Sequence, residues 1–142
     1  MSRTQPSFYL IDHPADLGIA AQGETLSEAF EQAASGLMSV ILDLSSVEAV
    51  VLKEVILQGS GLEHLLVKWL SEVLYLYDGE NFVGREFSIC ELRDDFLWAT
   101  VRGEPFVADK HVTRLDVKAI TYHQLLVEQT TGAGRVRVFL DI

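Results

Sequence analysis

Residues 60–79 read SGLEHLLVKWLSEVLYLYDG, and this stretch decides the fold class. Its apolar residues recur every three or four positions, which predicts an amphipathic helix over 61–77. The residues of this apolar stripe are Leu62, Leu65, Leu66, Trp69, Leu70, Val73 and Leu74. Ser60 and Glu63 match a capping box, in which two side chains bind free amides at a helix start. The Asp-Gly pair that closes the stretch predicts the helix end.

A second helix is predicted earlier in the chain. Thr25 and Glu28 have the same capping-box spacing. The apolar residues behind them recur at helical spacing over 25–41, and they are Leu26, Ala29, Phe30, Ala33, Leu37, Met38 and Ile41. We therefore expect two helices in the first part of the chain.

The remaining apolar segments have the composition of strands. Residues 8–12 and 18–21 predict two strands, or one bent strand, around a turn at Pro14. The other predicted strands cover 47–58, 86–92, 96–102, 117–127 and 135–142. Turn residues at 93–95 and 131–134 predict two hairpins, with positive φ angles at Gly132 and Gly134. Early helices followed by antiparallel strands indicate an α+β fold, with two helices packed on a mixed or antiparallel β-sheet in a single domain over 1–142. The order of the strands stays open.

Composition limits the classes of function. The chain has 142 residues and a formal net charge of −10, with 3 basic and 12 acidic side chains in residues 1–84. This balance opposes direct binding to a nucleic-acid backbone, which needs a positive surface. The acidic half fits either a solvated face or a surface for a basic partner protein. Cys90 is the only cysteine, which excludes an intramolecular disulfide and a multi-cysteine zinc site.

No sequence signature of an enzyme or of membrane targeting is found. The chain lacks a phosphate-binding Walker loop, a nucleophile elbow, an H-E-x-x-H zinc motif and a Rossmann glycine pattern. We interpret 59–61 as a strand-to-helix turn rather than as the surroundings of a nucleophilic Ser60. Without a signal peptide or a run of 18 apolar residues, we expect no membrane segment and a cytoplasmic location.

Two acidic segments suggest a cation site. Asp12 and Asp16 flank a turn that contains His13 and Pro14, and carboxylates on a stiff turn suit Ca²⁺ or Mg²⁺. At the other end of the sequence, Asp141 and the carboxylate of Ile142 bring two anions close together. If the strand leading out of the Asp16 turn lies beside the last strand, these carboxylates converge and need a cation or a proton between them. Alternatively, Asp16 stabilises the turn and Asp141 faces solvent.

Residues 116–123, DVKAITYH, carry a third candidate. Lys118, Tyr122 and His123 lie on one predicted strand, and side chains of these types act in catalysis. A lysine on an edge strand more often prevents aggregation. Both interpretations stay open at this point.

With these motifs in place, the chain resembles the archease family. The matching stretches are 13–19 (HPADLGI), 65–78 (LLVKWLSEVLYLYD), 117–123 (VKAITYH) and 139–142 (FLDI), in the family's order along the chain. Pro14 stands where the family most often has threonine, Asp116 where it has glutamate, and the last hairpin lacks the usual Gly-Trp. None of these departures removes a proposed ligand.

The resemblance implies a small α+β accessory protein that is not an enzyme. Archeases assist the RtcB-class tRNA-splicing RNA ligase by promoting its guanylylation and multiple turnover. By motif, the family's metal site, usually described with calcium, corresponds to Asp16, Asp141 and Ile142. Lys118 and His13 correspond to partner-interaction or supporting positions. The alternatives are a metal-dependent hydrolase or nucleotide-processing enzyme that uses Asp16 with His13 or His123, and a chaperone-like module that binds through the acidic half.

Overall fold

The computed structural model describes residues 4–12 and 16–142 and confirms the α+β class. Its helices are α1 (Leu26–Ile41) and α2 (Leu62–Asp78), which match the two predicted helices within one residue at each end. The strands, in chain order, are β1 (Ser7–Asp12), β2 (Leu17–Gly23), β3 (Val51–Gln58), β4 (Phe82–Arg93), β5 (Phe96–Pro105), β6 (Ala119–Thr130) and β7 (Ala133–Asp141). Neither helix in the described residues is long and apolar enough to cross a membrane.

The strand predicted over 47–58 is four residues too long at its start. Residues Leu44–Ser46 form a short 3-10 turn, and the Asp43 carboxylate accepts hydrogen bonds from both the N–H and the Oγ of Ser45. The hydrogen bond from Ser45 to Asp43 satisfies the backbone of this turn before the β3–β5 ladder begins. The β-branched residues Val47 and Val50 therefore lie outside the strand.

The strands form two antiparallel sheets. One sheet has the order β1-β2-β7-β6 and the other has the order β3-β5-β4. Both predicted hairpins are present, joining β4 to β5 and β6 to β7. The first sheet joins the two ends of the chain, because β2 pairs with β1 on one side and with β7 on the other.

The helices fill the space between the two sheets. Helix α1 packs against β2, β7 and β4, and α2 packs against β6 and β4. Trp69 on α2 is completely buried, and its Nε1–H donates to the carbonyl of Phe30 on α1 at 3.0 Å. The Trp69 ring also contacts Phe87 of β4 edge to face, with ring centroids 6.2 Å apart. The Trp69 side chain therefore connects both helices to the β3-β5-β4 sheet.

The two predicted capping boxes differ in outcome. At α1, Thr25 Oγ1 accepts from the Glu28 N–H at 3.1 Å, and the Glu28 carboxylate accepts from the Glu24 N–H at 2.6 Å. At α2 the prediction is wrong: the N-cap is Gly61, with φ at 107°, and no side chain caps it. Instead, His64 Nδ1 accepts from the Ser60 N–H at 3.0 Å, which supports the turn interpretation of 59–61.

Removing the first cap has a measurable cost. We expect Thr25→Ala to lower the free energy of unfolding by about 1 kcal/mol, because the Glu28 amide loses its acceptor. Ser27→Ala is the matched control, since the Ser27 hydroxyl takes no part in the cap. Urea unfolding of both variants checks the prediction, and equal losses would contradict it.

Two glycines of the last hairpin are needed for different reasons. Gly132 has φ at 79°, as the hairpin prediction requires. Gly134 does not have a positive φ, so that part of the prediction is wrong. A Cβ at Gly134 would lie 2.5 Å from the backbone of Thr25 and Leu26, so a side chain there would push the hairpin away from the start of α1.

A polar cluster around the buried His111, which no motif in the sequence predicted, holds the segment between β5 and β6. His111 is 2% exposed, its Nδ1 accepts from the Val107 N–H, and its Nε2 lies 2.9 Å from Glu104. Glu104 also accepts from Lys110 and from the Glu48 N–H, both at 2.9 Å. These donors, first the Glu48 amide and then His111 and Lys110, lower the pKa of Glu104 from 4.5 to about 2.

This cluster makes stability depend on pH. Because the folded-state pKa of Glu104 is lowered, its stabilisation is complete above pH 4.5 and is lost as the pH falls towards 2. We expect Glu104→Gln to destabilise the protein near neutral pH and the difference from wild type to shrink below pH 4. Glu86→Gln, at an exposed position of β4, is the control. Urea unfolding from pH 2 to 7 measures the effect, and a pH-independent difference would contradict it.

Candidate metal centre

The sheet register brings Asp16 beside Asp141. Strands β2 and β7 are antiparallel, and Leu17 is paired with Leu140. Continuing this register by one residue places Asp16 opposite Asp141, where Cα atoms of neighbouring strands are about 5 Å apart. The start of β2 and the end of β7 therefore meet at one corner of the β1-β2-β7-β6 sheet.

Side-chain alternation assigns both carboxylates to the same side of the sheet. Leu17 and Leu140 are buried on the side that faces the helices. Because successive residues of a strand point to opposite sides, Asp141, Gly18 and Phe139 point to the other side, and the same alternation continued by one residue before Leu17 assigns Asp16 to that side. A Cβ at Gly18 would lie 2.8 Å from the Phe139 ring, so the glycine lets this ring lie close to β2.

The chemistry of these groups fits a hard cation. Asp16 is partly buried and its Oδ1 atom is shielded from solvent, whereas Asp141 and Ile142 are exposed. Two carboxylates on adjacent strands repel each other unless positive charge or a proton lies near them. Carboxylate oxygens are the ligands that Ca²⁺ and Mg²⁺ prefer, so the donor set fits such an ion.

The remaining predicted site residues take different positions. His13 lies outside the described residues. Lys118 is next to the corner, but it reaches Asp141 through its backbone: the Lys118 N–H donates to the Asp141 carbonyl at 2.7 Å, and its side chain is exposed. Within residues 4–12 and 16–142, no three His, Cys, Asp or Glu side chains are grouped to hold a metal. The side chains of Asp16 and Asp141 alone therefore do not make up a three-ligand group at this corner.

A wide bulge in β6 lies beside the corner. The hydrogen-bonded ladder between β6 and β7 is regular up to Thr121 and resumes at Leu126. Gln124, within the bulge, has φ at 51°. Thr121 Oγ1 donates to the Phe139 carbonyl at 3.0 Å and accepts from the His123 N–H at 3.3 Å. Arg137 Nε donates to the Gln124 carbonyl at 3.0 Å.

These contacts give a structural role to two residues of the candidate stretch over 117–123, namely Thr121 and His123. The bulge brings His123 to the Phe139 ring, with centroids 5.8 Å apart. Thr121 and Arg137 hold this arrangement, and neither is one of the predicted site residues. No local sequence pattern marks Thr121 or Arg137, because their hydrogen bonds join residues of two different strands, β6 and β7.

Comparisons with known proteins identify the family. Residues 8–142 match the model of the Archease protein family (MTH1598/TM1083). Proteins named archease from Methanosarcina mazei and Sulfolobus acidocaldarius are 38% and 39% identical over 136 residues. The match covers 93% of this chain and 93% of the first relative, and 95% of this chain and 98% of the second.

Solved structures agree with this result. The solution structure of protein 1598 from Methanobacterium thermoautotrophicum is 34% identical, with a TM-score of 0.80 over 95% of this chain and 98% of that one. The Thermotoga maritima crystal structure described as "an archease, possible chaperone" has a TM-score of 0.63 at 17% identity, which shows a common fold; the match covers 93% of this chain and 94% of that one. From the family model and these relatives, we conclude that the chain belongs to the archease family.

Proposed function

We propose that this archease is a metal-binding accessory protein that activates an RtcB-class tRNA-splicing RNA ligase. In this role it promotes guanylylation and multiple turnover of the ligase in tRNA splicing or RNA repair, and it does not itself catalyse ligation. The observation that supports the proposal is the pairing of Leu17 with Leu140 in a chain of this family, since Asp16 directly precedes Leu17 and Asp141 directly follows Leu140.

The proposed ligands are the carboxylates of Asp16, Asp141 and Ile142, the last residue of this sequence. The bound ion, calcium in our proposal, supplies the positive charge that the corner needs. The Asp16 carboxylate would hold the start of β2 to the ion, and the Asp141 and Ile142 carboxylates would hold the end of β7 to it. The two segments then form one rigid acidic corner that faces away from the helices.

Activation requires that this corner distinguishes between states of the ligase. A partner that binds two states equally shifts no equilibrium, so the acidic corner must bind the state ready for nucleotide transfer more tightly. Carboxylates that a bound ion partly neutralises are suited to a positively charged or metal-containing active-site mouth. This mode of action needs no open coordination position or catalytic base on the archease itself.

The test is ligation with RNA in excess over an RtcB-class ligase, with and without this protein. We expect wild type to raise the yield well above one product per ligase molecule. Asp16→Asn and Asp141→Asn should return it to the level without archease, because each replaces an anionic ligand by a neutral amide. Asp109→Asn, an exposed aspartate outside the corner, is the matched control. Full stimulation by both corner variants would contradict the proposal.

Calcium binding is measured separately by calorimetry on the isolated protein. We expect heat of binding for wild type and Asp109→Asn and a loss of affinity of at least about tenfold in each corner variant, because ligand charge determines affinity for this ion. Turnover of a phosphate ester by the isolated protein, lost in Asp16→Asn, would instead favour the hydrolase alternative.

The exposed surface of β3 favours a chaperone-like role as the second candidate. This edge strand and the residue before it expose four large apolar side chains: Val50 at 66%, Val51 at 43%, Leu52 at 52% and Ile56 at 58%. Such an edge pairs readily with other chains. If this role is correct, Ile56→Lys should abolish suppression of aggregation of an unrelated basic protein, whereas Asp141→Asn should not affect it.

A further inference from the structure

The side of the β1-β2-β7-β6 sheet that faces away from the helices contains a shallow groove of about 150 Å³. Two neighbouring cross-strand rows cross this region, each with one residue from every strand of the sheet. One row is Tyr9, Ala20, Arg137 and Leu126, and the other is Ser7, Gln22, Arg135 and Glu128. We call this feature the outer groove.

The two arginines give the outer groove a positive charge. Arg135 and Arg137 flank the buried Val136 on β7, so both side chains lie on the outer side of the sheet. The ion pairs among the described residues include neither arginine. Glu128 is the one acidic residue in the two rows, opposite Arg135. The groove is therefore a positive patch on a chain with a net charge of −10.

The Arg137 guanidinium is held in place. Its Nε donates to the Gln124 carbonyl in the bulge of β6 at 3.0 Å. This bond leaves the two Nη groups to donate elsewhere, in the forked geometry that suits phosphate oxygens. A fixed guanidinium loses less entropy when it binds an anion than a freely moving one.

An aromatic ring and an amide complete the groove. Tyr9 is 61% exposed on β1, and the small Ala20 separates it from Arg137. Gln22 donates through Nε2 to Ser7 Oγ at 3.3 Å, which leaves its Oε1 as an acceptor. Exposed aromatic rings on an open antiparallel sheet stack nucleotide bases, and amides bind base edges.

We propose that the outer groove binds single-stranded RNA, with a base stacked on Tyr9 and neighbouring phosphates on Arg135 and Arg137. An acidic peptide also satisfies the two arginines, but it gives no role to the exposed Tyr9 ring or to the Gln22 amide. The combination therefore favours a nucleotide chain. This inference does not depend on the proposed function, because the groove binds without ligase or metal.

The inference departs from the expectation based on net charge. In about 0.1 M salt, charges separated by more than about 10 Å are largely screened. The local field at the groove therefore depends on Arg135, Arg137 and Glu128 more than on acidic residues elsewhere. Arg137 lies four residues before Asp141 on β7, about 13 Å along the strand, so the acidic corner adds little at this salt concentration.

The test is fluorescence anisotropy with the isolated protein and a labelled ten-nucleotide oligouridylate between 50 and 200 mM salt. We expect binding with a salt slope of about −1.4, which corresponds to two phosphate contacts on a single strand. Arg135→Ala and Arg137→Ala should each weaken binding about tenfold, and Tyr9→Ala at least about fivefold. Glu128→Gln should strengthen it.

Arg102→Ala is the matched control, because Arg102 is an exposed strand arginine on the other sheet. We expect this variant to bind like wild type, with thermal unfolding confirming that every variant is folded. No binding at 1 mM protein, or an equal loss in Arg102→Ala, would overturn the inference. So would binding of a decaglutamate peptide that needs both arginines and is indifferent to Tyr9→Ala, since that result assigns the groove to an acidic peptide.

Discussion

Extending the chain beyond Ile142 by a few residues is expected to abolish stimulation of the ligase. An added peptide bond converts the carboxylate of Ile142 into a neutral amide and removes one of the three proposed anionic ligands. Calcium affinity should fall at least about tenfold, and ligation should stop near one product per ligase molecule.

The same residues added before Met1 provide the control. We expect that variant to bind calcium and to stimulate ligation like wild type. If the variant extended after Ile142 stimulates fully while Asp16→Asn and Asp141→Asn do not, Ile142 is not a ligand and the site has only side-chain donors.

Replacing Trp69 by alanine is expected to lower the free energy of unfolding by about 3–5 kcal/mol. The side chain is completely buried, contacts Phe87 and donates to the Phe30 carbonyl. Its removal leaves a cavity where α1, α2 and β4 meet and takes from the Phe30 carbonyl the donor that it has in addition to its helical hydrogen bond. A loss of this size is a large part of the stability of a small domain. Urea unfolding measures it.

Trp98 provides a matched control. It lies on the open side of the β3-β5-β4 sheet, is 38% exposed and donates to Glu54. We expect Trp98→Ala to cost about 1 kcal/mol, since solvent replaces much of its surroundings. Trp69→Phe should lie between the two alanine variants, because it retains most of the packing and loses the hydrogen bond. Equal losses for Trp69→Ala and Trp98→Ala would show that Trp69 does not hold the core together.

Local patterns predict the elements of this fold well and their ends less well. The apolar residues from Leu62 to Leu74 are spaced three or four positions apart, and only a helix brings residues with this spacing onto one face. The cap at Thr25 is likewise local, since donor and acceptor are three residues apart. The cap predicted at Ser60 fails because His64 binds the Ser60 amide, and the strand predicted from Val47 fails because Asp43 stabilises a 3-10 turn before it. Several polar side chains can bind the same backbone groups, and the spacing of apolar residues does not show which of them does so.

The candidate site is also predictable from the sequence only in part. Asp16 and Asp141 stand out in the sequence as carboxylates at a turn and at the end of a strand, and the family resemblance joins them. Their proximity depends on the pairing of β2 with β7, two segments more than 100 residues apart in sequence. The outer groove depends on the same pairing, because it brings Tyr9 of β1 across β2 to Arg137 of β7.

The sequence by itself determined the two amphipathic helices, the antiparallel hairpins and the identity of the acidic residues at the proposed corner. These features depend on side-chain periodicity and on contacts within a few residues. Only the tertiary structure decided the division into two sheets, the bulge in β6 and the placement of Asp16 beside Asp141. Alternation along a strand shows which residues share a side, but the choice of neighbouring strand follows from how the helices and sheets pack around one core.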